Sequence, residues 1–190
     1  DTFVYDLFDT PTVNNYGSFV YNNVQDMKDE FTAADDAFKG AFGFVNYIEG
    51  IYVGYKFYET AAEEGLINYD EKVLYPFGYG LSYTDFTQEI TGFTESIDSV
   101  SVEVTVTNTG DVAGKDVVEL YYNPPYYNGG IEKASVNLID FEKTKLLAPG
   151  ESQVVSFDVS YEDMASYDSK SIKAASKNGG YVLEAGDYTL

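Results

Sequence analysis

Carboxylates dominate the chemistry open to this chain, so the first question is whether any two of them could work together. Glu63-Glu64, Asp35-Asp36 and Asp70-Glu71 stand side by side. A carboxylate pair performs acid–base work when a pocket drives its two pKa values apart. Side chains adjacent along a strand or loop do not converge on one face, and these pairs read as a solvated acidic surface. Asp26, Asp29, Glu30, Asp35 and Asp36 offer hard oxygen ligands of the kind calcium takes. In the run Asp26, Lys28, Glu30, however, a lysine stands at the second ligand position of an EF-hand loop, and no metal site is expected.

The residues that are missing restrict the chemistry further. The chain of 190 residues contains no His, no Cys and no Trp, and all 11 of its basic residues are Lys. Without Cys there is no disulfide framework and no thiolate nucleophile. Without His, a Ser-His-Asp triad cannot be assembled and the commonest zinc ligand is lacking. Without Arg there is no bidentate clamp for phosphate or carboxylate. Against those bases stand 32 acids, for a net charge of −21. Such a field repels nucleic acid and anionic membrane surfaces and tolerates neutral ligands such as sugars. No apolar run approaches the roughly 20 residues of a membrane span, and no targeting signal or Asn-x-Ser/Thr sequon is present. A soluble protein without cofactors is expected, with its compartment undetermined. The start at Asp1, without an initiator Met, is read as a sign that upstream sequence was removed or not included.

Elements that could position a site fall into two styles. Up to about residue 83 the pattern is irregular and aromatic. Phe3, Tyr5 and Leu7 alternate as a short strand ended by Thr10-Pro11. Residues 12–40 read as a long surface loop with a helical turn near 29–38, which suits a piece lying over something larger. Phe44, Asn46 and Ile48 could form a strand leading into a short helix at about 51–63, where Ile51, Tyr55 and Tyr58 have helical spacing. From residue 84 the pattern turns regular. Val100, Val102, Val104 and Val106 mark one half-buried strand. Val118, Leu120 and Tyr122 mark a second, stopped by Pro124-Pro125, and Val155, Phe157 and Val159 mark a third. Turn signals stand at Asn108–Asp111, Pro149-Gly150 and Asn178-Gly-Gly180. Strands spaced in this way specify a mainly β protein built on a β-sandwich.

Particular stretches carry more than a pattern. Glu49-Gly-Ile-Tyr-Val-Gly-Tyr-Lys-Phe-Tyr-Glu59 is followed by Val73-Leu-Tyr-Pro-Phe-Gly-Tyr-Gly-Leu-Ser-Tyr-Thr-Asp-Phe86. Next come Val104-Thr-Val-Thr-Asn-Thr-Gly-Asp111, Leu138-Ile-Asp-Phe-Glu-Lys143, Leu147-Ala-Pro-Gly-Glu151, Asp163–Asp168 and Glu184-Ala-Gly-Asp-Tyr-Thr189. In this order they resemble the end of the α/β sandwich domain and the fibronectin type III-like domain of glycoside hydrolase family 3, the β-glucosidase family. The resemblance implies two units: residues 1–83 as the C-terminal remnant of an α/β domain with its linker, and residues 84–190 as a fibronectin type III-like (immunoglobulin-like) β-sandwich. Lys56 departs from the pattern, since the family commonly has Arg there. Leu190 falls inside what the resemblance makes the last strand, so the sandwich edge is expected to be incomplete.

Members of the family resemble retaining glycosidases. Their nucleophile sits in a β/α barrel and their acid/base in a loop early in the α/β domain. Retaining chemistry needs two carboxyl groups about 5–5.5 Å apart. Neither catalytic motif occurs in this sequence, and no catalytic residue is assigned. The resemblance places Glu49 and Tyr52 beside the substrate side, although Glu49 equally suits a carboxylate at a helix start. Tyr52, Tyr55 and Tyr58 could stack on sugar rings; a stripe of this kind is more often interface core. Tyr55, Tyr58, Phe77, Tyr79 and Tyr83 are accordingly expected to pack between domains, with glycines 78 and 80 letting the backbone pass closely. The implied partners are the rest of the parent hydrolase, its barrel and α/β domain, and a β-glucoside in the intact enzyme. The leading expectation is a non-catalytic architectural segment. The competing one is a module that binds carbohydrate or a protein partner through Tyr121, Tyr122, Tyr126 and Tyr127.

Overall fold

Four valines at alternate positions of one strand organise the protein. Val100, Val102, Val104 and Val106 turn to one side and are almost inaccessible, while the residues between them are half-buried or exposed. The structure, a computed structural model, describes residues 2–4, 16–17, 44–45, 50–175 and 177–190. Its elements in chain order are β1 (Phe3–Val4), β2 (Tyr16–Gly17), β3 (Phe44–Val45), α1 (Tyr55–Glu63), α2 (Tyr69–Lys72), β4 (Val73–Tyr75), β5 (Phe86–Glu95), β6 (Ser99–Asn108), β7 (Val117–Tyr122), β8 (Asn137–Lys143), β9 (Ser152–Ser160), a 3-10 turn at Tyr161–Met164, β10 (Ser166–Asp168) and β11 (Gly180–Val182).

β5, β6 and β9 form one antiparallel sheet with β6 in the centre, and β7 pairs with β8 in a second. The two sheets share one apolar core. Val118, Leu120 and Tyr122 of β7 meet the β6 valines, together with Leu147, Met164 and the β9 residues Val155, Phe157 and Val159. The three strands expected from alternation all form, because period-2 patterning buries one face only in that register. The mainly β sandwich is therefore the fold.

The segment from Asn108 to Asp111 is a crossover between the sheets rather than a turn joining neighbours. Asn108 is fully buried. Its amide donates to the carbonyls of Val112 at 2.8 Å and Leu147 at 2.9 Å, and its oxygen accepts from Thr84 Oγ1 at 2.8 Å and Gly110 N at 3.1 Å. One satisfied amide thus ties the start of the sandwich to the loop after β6 and to the segment before β9.

Several local expectations need amendment. The helix expected at about 51–63 begins only at Tyr55, because Gly50 and Gly54 take φ of +59° and +60°, outside helical geometry. Of the N-terminal strand, β1 alone is described, and it pairs with β4. The loop with its helical turn at 29–38 and the weighed calcium region at Asp26–Asp36 lie outside the described residues. β3 pairs with β2 at Tyr16–Gly17. Asn178-Gly-Gly180 does not close a two-residue hairpin. β10 and β11 do pair, but the connection runs over 169–179 and is folded around the carboxylate of Asp168.

Candidate functional site: the seam on the outer face of the second sheet

β7 has two faces. Its even-numbered residues enter the core, and its odd-numbered residues face α1. Tyr55, the first residue of α1, supplies the central contact. Its ring lies 5.0 Å from that of Phe77 and edge-on to that of Tyr121 at 5.9 Å. Its hydroxyl accepts the backbone N–H of Leu138 in β8 at 2.7 Å. That N–H falls where the β7–β8 register shifts, between Leu120 and Tyr121, so the tyrosine satisfies a donor that the ladder leaves free. Burial raises the Tyr55 hydroxyl above the ordinary tyrosine value, although its bond with Leu138 opposes the shift.

The seam extends along the helix on both sides of Tyr55. Tyr52 donates its hydroxyl to Glu132 at 2.9 Å and to the carbonyl of Lys133 at 3.4 Å. Thr60 Oγ1 accepts the backbone N–H of Ser135 at 3.0 Å. Tyr121 donates to Glu119 at 2.6 Å, and Tyr69 donates to Glu59 at 2.7 Å. Burial first, and the neighbouring carboxylates second, push the hydroxyls of Tyr52, Tyr69 and Tyr121 far above the usual range. Phenols held in this way remain proton donors and pin the acidic side chains. Glu59, Glu119 and Glu132 are thereby used as acceptors within the seam.

Gly78 lies against Glu119. Its φ is +79°, and a Cβ there would come within 2.6 Å of the Glu119 carboxylate. Open space surrounds Gly80, so the close passage expected of both glycines applies at Gly78. Lys56 is half-buried, and burial lowers its pKa. It lines a cavity of about 260 Å³ with Ile51, Glu132, Asn137 and Asp168.

The other residues singled out in the sequence are distributed as follows. Tyr58 is buried on α1, with its ring edge-on to Phe57 at 5.1 Å. Tyr79 stacks on Tyr75 at 4.7 Å and is about half exposed. Tyr83 is 98% exposed and Leu81 92% exposed, leaving the linker 81–83 standing in solvent. Glu49 lies outside the described residues. Among the described residues no group of three acids converges as a metal site, and no helix is long and apolar enough to cross a membrane.

Two polar centres escaped the sequence reading. Lys133 and Glu184 form an ion pair with side chains 1% and 3% exposed. Lys133 also donates to the carbonyl of Pro125 and lies 5.7 Å from the centre of the Tyr127 ring, while Lys173 approaches the second Glu184 oxygen at 3.4 Å. The hydrogen bond from Lys133 holds the Glu184 carboxyl below its usual range against the opposing effect of burial. In the second centre, burial alone would raise the Asp168 carboxyl. Backbone amides of Lys173 at 2.6 Å and Ala174 at 2.9 Å, with those of Ile172 and Lys170, outweigh it and hold the group low. The partners are far apart in sequence, and no local pattern announces either centre.

These contacts also bear on the four tyrosines of the binding-module expectation. Tyr122 is core, Tyr121 is in the seam, and Tyr127 donates to the carbonyl of Ala185 at 2.8 Å. Only Tyr126 is left half exposed without such an assignment, and the four do not share one recognition face.

A sandwich of two antiparallel sheets with different numbers of strands is the architecture of the fibronectin type III-like class. Residues 116–190 match the fibronectin type III-like domain family. A β-glucosidase of Ruminococcus albus is 36% identical over 190 residues, all of this chain and 16% of that protein. Beta-glucosidase A of Butyrivibrio fibrisolvens is 38% identical over 183 residues, 85% of this chain and 21% of that protein. Among solved structures, a β-glucosidase from Paenibacillus barengoltzii matches 99% of this chain and 17% of its own, with 37% identity and a TM-score of 0.73. Beta-glucosidase 3B from Thermotoga neapolitana, in complex with glucose, matches 76% of this chain and 18% of its own, with 36% identity and a TM-score of 0.62. The chain belongs to glycoside hydrolase family 3, in the region that carries the fibronectin type III-like domain. It spans about a fifth of the length of the curated relatives it matches.

Proposed function

We propose that this chain is a non-catalytic architectural part of a retaining β-glucosidase-type hydrolase. Residues 1–83 complete an α/β domain and 84–190 brace it. The observation that carries the reading is the full-length alignment to a β-glucosidase of which this chain spans only 16%. The chemistry of the seam supports it. Glu59, Glu119, Glu132 and Glu184 each hold a tyrosine or lysine, and Asp168 collects backbone amides, which are structural uses of a carboxylate. Tyr55, Tyr58, Phe77, Tyr79 and Tyr83 are proposed as the packing residues between the two units and toward the remainder of the enzyme. Glu49 and Tyr52 are proposed to lie on its substrate side, where a β-glucoside would bind. Exposed Leu81 and Tyr83 favour a covering partner, since apolar side chains of that size are normally hidden in the assembled molecule.

The experiment is a hydrolysis assay with an aryl β-glucoside. The purified 1–190 chain gives no turnover above background and the full-length protein does. Turnover by the 1–190 chain that disappears when one of its own carboxylates is changed to the amide overturns the reading.

A further inference from the structure

An asparagine followed by glycine is chemically labile, because a glycine without Cβ lets its backbone nitrogen reach the side-chain amide before it. The sequence holds this pair twice, at Asn128-Gly129 and Asn178-Gly179. Both asparagines are exposed, so neither motif nor access ranks one above the other. The structure separates them by what holds the peptide unit inside each pair.

The Asn178–Gly179 peptide is held on both sides. The carbonyl of Asn178 accepts from the Tyr167 hydroxyl at 3.1 Å, and Gly179 N donates to Ser171 Oγ at 3.0 Å. Gly179 is buried, and a Cβ there would come within 2.7 Å of the Asp168 carbonyl oxygen. At Asn128–Gly129 the situation is reversed. The turn is closed by Gly130 N, which donates to the carbonyl of Tyr127 at 2.8 Å. Among the described residues neither the Asn128 carbonyl nor Gly129 N has a hydrogen-bond partner. Gly129 is exposed at φ +78°, the value of the third residue of a type II turn, with nothing within 4 Å of where a Cβ would stand. Rotating this peptide exchanges type II for type I geometry and keeps the closing bond.

We propose that Asn128 is a site of spontaneous modification through a succinimide, and that the fold protects Asn178 from the same reaction. The Gly129 nitrogen attacks Cγ of Asn128. The N–Cγ bond forms, the Cγ–Nδ2 bond breaks, and ammonia leaves with the proton given up by the backbone nitrogen. Water then opens the ring at either carbonyl, giving aspartate or isoaspartate. Both products add a negative charge to a chain already at −21. Isoaspartate also lengthens the backbone by one carbon directly after Tyr127, whose hydroxyl donates to the carbonyl of Ala185 at 2.8 Å and whose ring lies 5.7 Å from Lys133. This inference is independent of the hydrolytic reading.

Peptide mapping by mass spectrometry, on the 1–190 chain aged at mildly alkaline pH, tests it. Conversion at Asn128 runs on the order of 10-fold faster than at Asn178, because opening the second peptide breaks two hydrogen bonds. Isoaspartate and aspartate both appear at position 128. In denaturing urea the two rates converge. Tyr167→Phe combined with Ser171→Gly releases both holds and raises the rate at Asn178; glycine suits the φ of +53° at Ser171. Equal conversion at the two sites in the native chain, or faster conversion at Asn178, overturns the proposal. A ratio that urea leaves unchanged also overturns it, because neighbouring sequence would then set the rates. Aspartate alone at position 128 overturns the succinimide step, since direct hydrolysis gives no isoaspartate.

Discussion

Individual side chains in this protein matter most where polarity is buried. Lys133 and Glu184 compensate one another in a nearly dry site. Removing one partner of a buried pair strands the other charge, which costs about 3–5 kcal/mol. Lys133→Ala should therefore lower stability in urea by that amount, and Lys133→Ala with Glu184→Leu should recover a large part of it. Asp168 supplies a pH signature. Its carboxyl is held below the ordinary value, so the stability it adds is complete above the unfolded-state pKa of about 3.9 and is lost as pH falls through the lower folded-state value. The Tm difference between the parent chain and Asp168→Asn should be widest at neutral pH and narrow toward about pH 2–3. A difference that stays constant with pH would show that the carboxylate charge is not what the loop 169–179 uses.

Between elements, one tyrosine joins the helix to the sheet. Tyr55→Phe keeps the ring against Phe77 and Tyr121 but leaves the Leu138 N–H without its acceptor, a loss of about 1 kcal/mol at a half-buried site. Tyr55→Ala also removes the ring packing and should cost about 3–5 kcal/mol. Exchange at Leu138 should quicken in both variants, while the β6 amides, on the far side of the core, keep their protection until global unfolding. In β9, Phe157→Ala empties a fully buried position and should destabilise by about 3–5 kcal/mol without affecting the seam. Tyr55 packs on Phe77 and Tyr121 outside the core and Phe157 packs within it, so their effects on stability should add.

For the molecule as a whole, charge sets the behaviour. A net charge of −21 on 190 residues makes the folded state repel itself. Raising ionic strength from about 0.01 M to 0.5 M shortens the Debye length from roughly 30 Å to a few Å. The Tm should rise with added salt as that repulsion is screened. A Tm that falls instead would mean that attractive surface pairs such as Lys145–Glu151 outweigh it. Hydrolysis by a full-length protein is the proposed function, and the aryl β-glucoside assay is its test.

The strands β6, β7 and β9 were legible because alternation is a local consequence of burying one face, and their valines, leucine and aromatics lie two apart in sequence. The seam motifs from Ile51 to Tyr58 and Val73 to Phe86 were legible through the family resemblance. β5 was not read as a strand, because Gln88-Glu-Ile-Thr-Gly92 lacks clean alternation across its register shift. Lys133–Glu184, Asn108 with its four partners, and the amide cradle of Asp168 were invisible, since each joins residues that meet only after the sheets have packed. Composition and periodicity determined that this chain is an acidic, histidine-free β-sandwich preceded by an aromatic stretch. Tertiary structure alone decided which acids are spoken for and which face of β7 carries the helix, because those outcomes depend on contacts between elements and not on any one element's own pattern.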